Sequence, residues 1–150
     1  MHEALIRQAI EADISSICQL QHQWFEEGSV HGFVPDSKEH LQTALGPYFL
    51  VAETNDAVVG FVSGSVHISE GTAVIPAGES YVEIDNLYVS QQFRQRGIGS
   101  NLVTQVLEYA KGQGVVHALL YSATKDIHNI IRFYEHHNFK SWYVQMFQKL

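Results

Sequence analysis

Glu83 and Asp85 stand two residues apart in an otherwise strand-like run, Tyr81-Val82-Glu83-Ile84-Asp85-Asn86-Leu87-Tyr88-Val89. A carboxylate can take up a proton, directly or through water, so both are candidates for acid–base work. Just downstream lies Arg94-Gln95-Arg96-Gly97-Ile98-Gly99-Ser100. Two glycines at the start of a helix let an anion approach the backbone, and the first-turn N–H groups have no helical partners to compete for them. Arg94 and Arg96 add positive charge. No Walker lysine follows Gly99, and the third glycine of a dinucleotide fingerprint is missing.

The strand must carry the acids to the mouth of that loop. Period 2 places Glu83, Asp85, Leu87 and Val89 on one face, which would mix acids with apolar side chains. A β-bulge near Asn86 would separate them. Upstream, Ala4–Ala9 reads as a first strand, Asp13 as an N-cap, and Ile14, Ile17, Cys18, Gln21, Trp24 and Phe25 as one helical stripe. Gly28 and Gly32 break that helix, and a short one restarts at Asp36 or Ser37 and runs to Gly46-Pro47. Tyr48–Glu53 and Val58–His67 form a hairpin about Asn55-Asp56, and 68–80 is a loop. Ser100–Lys111 is a helix closed by Gly112 and Gly114, Val115–Tyr121 a buried strand, Ile127–His136 a helix, and Ser141–Phe147 a last strand. The order β-α-α-β-β-β-α-β-α-β describes a mixed α/β (α+β) fold, with antiparallel strands early and a β-α-β unit late. At 150 residues, one domain over 1–150 is expected.

Composition excludes several classes. The longest unbroken apolar run is too short to cross a bilayer, and no signal-peptide h-region is visible, so no membrane association and a cytoplasmic location are expected. The single cysteine, Cys18, excludes an internal disulfide and a thiolate-rich zinc site, and it falls on the apolar helix stripe. Nine histidines show no ligand spacing with a third partner, so no metal is expected. The net charge of −7 argues against bulk nucleic-acid binding. It is unevenly divided: residues 1–93 hold 13 acids and two bases, for −11, whereas 94–150 carry +4. Such a chain suits an anion on its C-terminal part and a cation on its N-terminal part. Glu26 and Glu27, at the end of the first helix, could be a solvated face or could bind an acceptor.

Two motifs resemble those of the GNAT N-acetyltransferases. One is Arg94-x-x-Gly97-x-Gly99 after Leu87-Tyr88-Val89; the other is Phe133-Tyr134-Glu135-His136-His137-Asn138-Phe139 on the last helix. Ile6-Arg7-Gln8-Ala9 followed by Asp13 is similar to the family's opening, and the likeness covers essentially the whole chain. The resemblance implies a mostly antiparallel central sheet flanked by helices and acetyl-CoA as cosubstrate. Its pyrophosphate would lie on backbone N–H groups of Gln95, Arg96, Gly97, Ile98, Gly99 and Ser100. Its pantetheine arm would pair with Leu87, Tyr88 and Val89. Tyr134 would be the general acid toward the departing thiolate, Glu83 or Asp85 the base, and Asn129 a cofactor contact two residues from the family's usual place. Asn138 replaces the usual glycine, and Asn is the next-best residue for a left-handed cap.

The function expected is transfer of acetyl from acetyl-CoA directly to a primary amine on a small cationic acceptor, by a chain that could pair as a homodimer. Two alternatives stand beside it: a non-catalytic acyl-CoA-binding sensor module, and a phosphate-binding domain unrelated to acyl transfer.

Overall fold

The computed structural model describes residues 3–150; Met1 and His2 of the expected 1–150 domain lie outside the described residues. Five strands form one sheet in chain order: β1 (Leu5–Gln8), β2 (Phe49–Thr54), β3 (Ala57–Ile68), β4 (Ser80–Val89) and β5 (His117–Leu120). β1 to β4 are antiparallel neighbours and β4–β5 is parallel. The helices are α1 (Ile14–Glu27), α2 (Lys38–Ala44), α3 (Ile98–Gly112) and α4 (Ile127–Glu135). None is long and apolar enough to cross a membrane.

The sheet buries a core on each face, as its alternating strands require. On one face α3 presents Ile98, Leu102, Val103, Val106 and Ala110 to Val62, Val82 and Ile84. On the other, Ile14, Ile17 and Leu20 of α1 meet Val51, Phe61 and Tyr88. The hairpin turns through Asn55 and Asp56, with φ 49° and 59°, the left-handed pair that a two-residue type I′ connection demands. Gln21, the polar member of the α1 stripe, is fully buried. It donates to an Asp36 carboxylate oxygen at 2.9 Å and accepts the Asp36 N–H at 2.6 Å, which ties the α1–α2 connection to the core.

Two local expectations change. Asp13 stands at the N-cap position of α1, but its side chain accepts no bond from that helix. It ends a 3₁₀ turn (Glu11–Asp13), accepts the Ile10 N–H at 2.9 Å, and binds the Arg7 guanidinium at 2.7 and 2.9 Å. A buried carboxylate beside a guanidinium gains more from that pair than from the helix end. Residues 141–147 form no strand. Trp142, Tyr143, Val144, Met146 and Phe147 give it a strand-prone apolar composition, yet all five are exposed, and an open cavity of about 1040 Å³ lies among β5, the 121–124 loop, α4 and this segment. A strand needs a partner edge at about 4.8 Å, and an apolar run alone does not supply one.

Candidate active site

β4 changes phase at Asp85. Ser63 pairs with Asn86 but Gly64 pairs with Ile84, so Asp85 is an extra residue on β4, a β-bulge. Before it, Val82 and Ile84 face α3; after it, Leu87 and Val89 do. Glu83 is thereby on the α1 side of the sheet, away from Leu87 and Val89. Gly64 makes the close approach feasible, since a Cβ there would sit 3.0 Å from the Glu83 carbonyl oxygen. The last β4–β5 pair is Ile84–Leu120, so the strands part where the bulge begins. Beyond it β4 pairs with β3 on one edge only.

On the α1 side the sheet face turns from apolar to polar at the same place. Next to Phe61 and Tyr88 come Ser63 and Asn86, then Ser65 and Glu83, then His67 and Tyr81. Asn86 Nδ2 donates to Ser63 Oγ at 3.2 Å. Ser65 Oγ donates to Asp85 Oδ2 at 2.9 Å and lies 2.9 Å from His67 Nε2, which in turn is 3.5 Å from Glu83 Oε2. The two expected bases are therefore joined through two β3 side chains. Sequence reasoning missed both. Ser65-x-His67 alternates on the hairpin strand, but only the β3–β4 register brings it to Glu83.

The loop from β4 to α3 turns through Gln95 and Gly97, at φ 60° and 77°. A Cβ on Gly97 would meet nothing within 4 Å, so the backbone faces open space there. The α3 ladder starts with the bond from the Asn101 N–H to the Gly97 carbonyl, which leaves the N–H groups of Ile98, Gly99 and Ser100 ahead of it. These donors suit a diphosphate, and the unpaired edge of β4 suits an amide-bearing chain.

The expected side chains divide by role. Ile98, Leu87 and Val89 pack in the α3-side core, and Tyr88 packs on the α1 side. Arg94 is turned to the α1 end: Nη2 lies 2.9 and 2.8 Å from the two Glu27 carboxylate oxygens, and Nε donates to the Val89 carbonyl at 2.8 Å. Tyr88 donates to the same Glu27 at 2.5 Å, and burial with that carboxylate pushes its phenol up. Arg96 reaches the Gln92 carbonyl and lies over the Phe93 ring. Ser100 Oγ is 2.9 Å from His137 Nε2, and burial, with His136 nearby, holds that imidazole below its ordinary range.

Tyr134, on α4, packs onto the core that contains Leu87 and Val89, edge-on to Phe133 and Phe139. Burial pushes its phenol up to about 12. Asn138 follows at φ 64°, the left-handed geometry its type favours. Asn129 sits at the opposite end of α4 and donates to both Asp126 oxygens at 3.1 Å. Among the described residues, no group of His, Cys, Asp and Glu could hold a metal ion.

Several known proteins are similar to this chain in sequence or in fold. N-acetyltransferase 8B of Rattus norvegicus is 33% identical over 98 residues, 65% of this chain and 42% of that one. N-acetyltransferase 8 of Homo sapiens is 33% identical over 79 residues, 53% of this chain and 33% of that one. The chain thus spans less than half the length of these curated relatives. The fold is shared with a predicted acetyltransferase from Clostridium acetobutylicum solved with acetyl-CoA (TM-score 0.72, 15% identity, 98% of this chain and 96% of that one). It is shared too with an aminoglycoside acetyltransferase from an uncultured soil metagenomic sample in complex with sisomicin (TM-score 0.70, 20% identity, 98% and 96%). The family model for the acetyltransferase (GNAT) family matches residues 14–139, a span that holds the bulged strand, the glycine loop and the Tyr134 helix. The chain belongs to the acetyltransferase (GNAT) family.

Proposed function

We propose that this chain transfers an acetyl group from acetyl-CoA directly to the amine of a small cationic acceptor. The observation that carries the reading is the coincidence at Asp85. The bulge, the parting of β4 from β5 and the start of the polar sheet face all fall within two residues. An acceptor on that face would have carboxylates beside it and the open β4 edge next to it.

Acetyl-CoA supplies the acetyl group as an activated thioester. The N–H groups from Gln95 to Ser100 would hold its diphosphate, with the α3 dipole adding positive potential. The free edge at Leu87 and Tyr88 would pair with its pantetheine amides; the Val89 carbonyl is already taken by Arg94. Glu83 removes a proton from the acceptor ammonium so that the nitrogen lone pair is available to attack. Asp85 contributes negative charge that attracts a cation.

Tyr134 acts by hydrogen bonding. A thiol titrates near about 8.5, so its thiolate is a far weaker base than a phenolate near 12. The phenol keeps its proton and donates a hydrogen bond to the departing sulfur, while the thiol is completed by a second proton, the one the nitrogen sheds after it has attacked the carbonyl and after Glu83 has taken the first.

The decisive experiment is thiol release from acetyl-CoA with a panel of amines that includes spermidine and sisomicin, beside a thermal-shift titration with coenzyme A. Turnover with cationic amines is expected. A thermal shift without turnover would leave an acyl-CoA-binding module, and no shift at all would remove the cofactor reading.

A further inference from the structure

His67 has no part in the chemistry set out above, yet it stands against the group assigned to remove the acceptor's proton. Its Nε2 is 2.9 Å from Ser65 Oγ and 3.5 Å from Glu83 Oε2. Which ring nitrogen carries the proton follows from counting donors. A carboxylate only accepts, so the 2.9 Å contact between Ser65 Oγ and Asp85 Oδ2 consumes the single hydroxyl proton of Ser65. Toward His67, Ser65 then has only lone pairs to offer, so Nε2 must be the N–H. That N–H points at Ser65, and Glu83 Oε2 stands 3.5 Å from the same nitrogen, beyond a hydrogen bond but beside the positive end of the N–H dipole.

From this geometry, and resting on the reading of Glu83 as the base, we infer that His67 is a positioning residue of the acceptor site. Its Nε2–H, locked as a donor to Ser65 by the Ser65–Asp85 bond, keeps the positive end of its dipole beside the Glu83 carboxylate and so orients it for proton removal. The lock also decides what His67 does not do. Nε2 already carries a proton and cannot receive the one Glu83 takes from the amine. That proton breaks its bond to the amine nitrogen, forms one to a Glu83 oxygen, and leaves to solvent. The other neighbours of Glu83 do not substitute for this donor. Its register partner on β5 is Leu119, and Tyr81 on its own strand packs its ring against His67, 5.3 Å between centroids.

The lock is tested on the protein without substrate. Long-range proton–nitrogen NMR of the imidazole rings at about pH 8, where histidine is ordinarily neutral, reports the tautomer. His67→Gln identifies the His67 signals by their loss. The Nε2–H pattern is expected for wild type, with Nδ1–H emerging in Ser65→Ala; a wild-type Nδ1–H tautomer overturns the inference whether or not any amine is acetylated. The functional arm uses the amine of the panel with the fastest thiol release. His67→Leu should lower kcat between about 10- and 100-fold, the scale of a misplaced reacting group, with KM for acetyl-CoA unchanged. His67→Gln, whose side-chain amide can offer an N–H at nearly the same place, should restore most of it. Wild-type kcat in His67→Leu, or equal losses in the Leu and Gln variants, overturns the role of His67. Full activity in Glu83→Gln would instead remove Glu83 as base.

Discussion

Arg94 and Glu27 are 67 positions apart and form a paired contact, with Nη2 at 2.9 and 2.8 Å from the two carboxylate oxygens. The arginine that opens the glycine-loop motif thus fastens the end of α1 to the strand leading into the loop. Tyr88 shares the carboxylate, and the guanidinium lies 5.3 Å from the Tyr88 ring centroid.

The first prediction concerns that fastening. Glu27→Ala and Arg94→Ala should each destabilise the fold, and the double variant should cost less than their sum. A coupling of about 1 kcal/mol is expected for a half-exposed pair. Urea denaturation of the four proteins measures it, and strict additivity would show that the contact contributes nothing.

Gln95 gives a stabilising substitution. A non-glycine residue at φ 60° costs about 1–2 kcal/mol, partly offset by the larger unfolded-state entropy of glycine. Gln95→Gly should therefore raise stability by about 0.5 kcal/mol in urea titrations. Gly97→Ala, at φ 77°, should lower it by about 1 kcal/mol although a Cβ there has open space.

Asp13 ties stability to pH. Hydrogen bonding to Arg7 holds its carboxyl below the usual carboxylate range, outweighing the opposing effect of burial. A depressed folded pKa means the stabilisation is present above the unfolded value, about 3.9, and is lost as pH falls through the folded one. Asp13→Asn should cost about 3 kcal/mol at neutral pH, because it leaves Arg7 with one carboxylate partner, Glu53. The difference from wild type should shrink once the pH is well below 4. A gap that stays constant down to pH 2 would rule the ion pair out as its source.

Tyr134→Phe separates chemistry from binding. Turnover should fall about 100-fold, the scale of a lost proton-transfer or hydrogen-bonding group, while the acetyl-CoA thermal shift persists. Since burial raises the phenol to about 12, the wild-type rate should show no loss attributable to Tyr134 below about pH 11. Unchanged turnover in the variant would exclude this residue from the reaction.

What the sequence made legible was local or periodic. Glu83 and Asp85 could not share a face with Leu87 and Val89, so the alternation itself called for a bulge, and one lies at Asp85. Asn55-Asp56 and Asn138 announced their left-handed turns by residue type. Gln95 announced nothing, because a glutamine does not signal positive φ. Glu27 with Arg94, and His67 with Glu83, depend on contacts that no window of sequence contains. Residues 141–147 show the converse: a strand-prone composition whose fate rests on a neighbouring edge rather than on its own residues.

The extra residue at Asp85 makes β4 a strand with two reading frames. Its first half counts even positions toward α3 and its second half odd ones, so both halves reach the same core with opposite parity. Removing a residue here would not merely shorten a strand. It would bring both halves into one frame, turning Leu87 and Val89 or else Val82 and Ile84 away from α3. A deletion at Asp85 would thus disturb the core although the residue's own side chain is exposed.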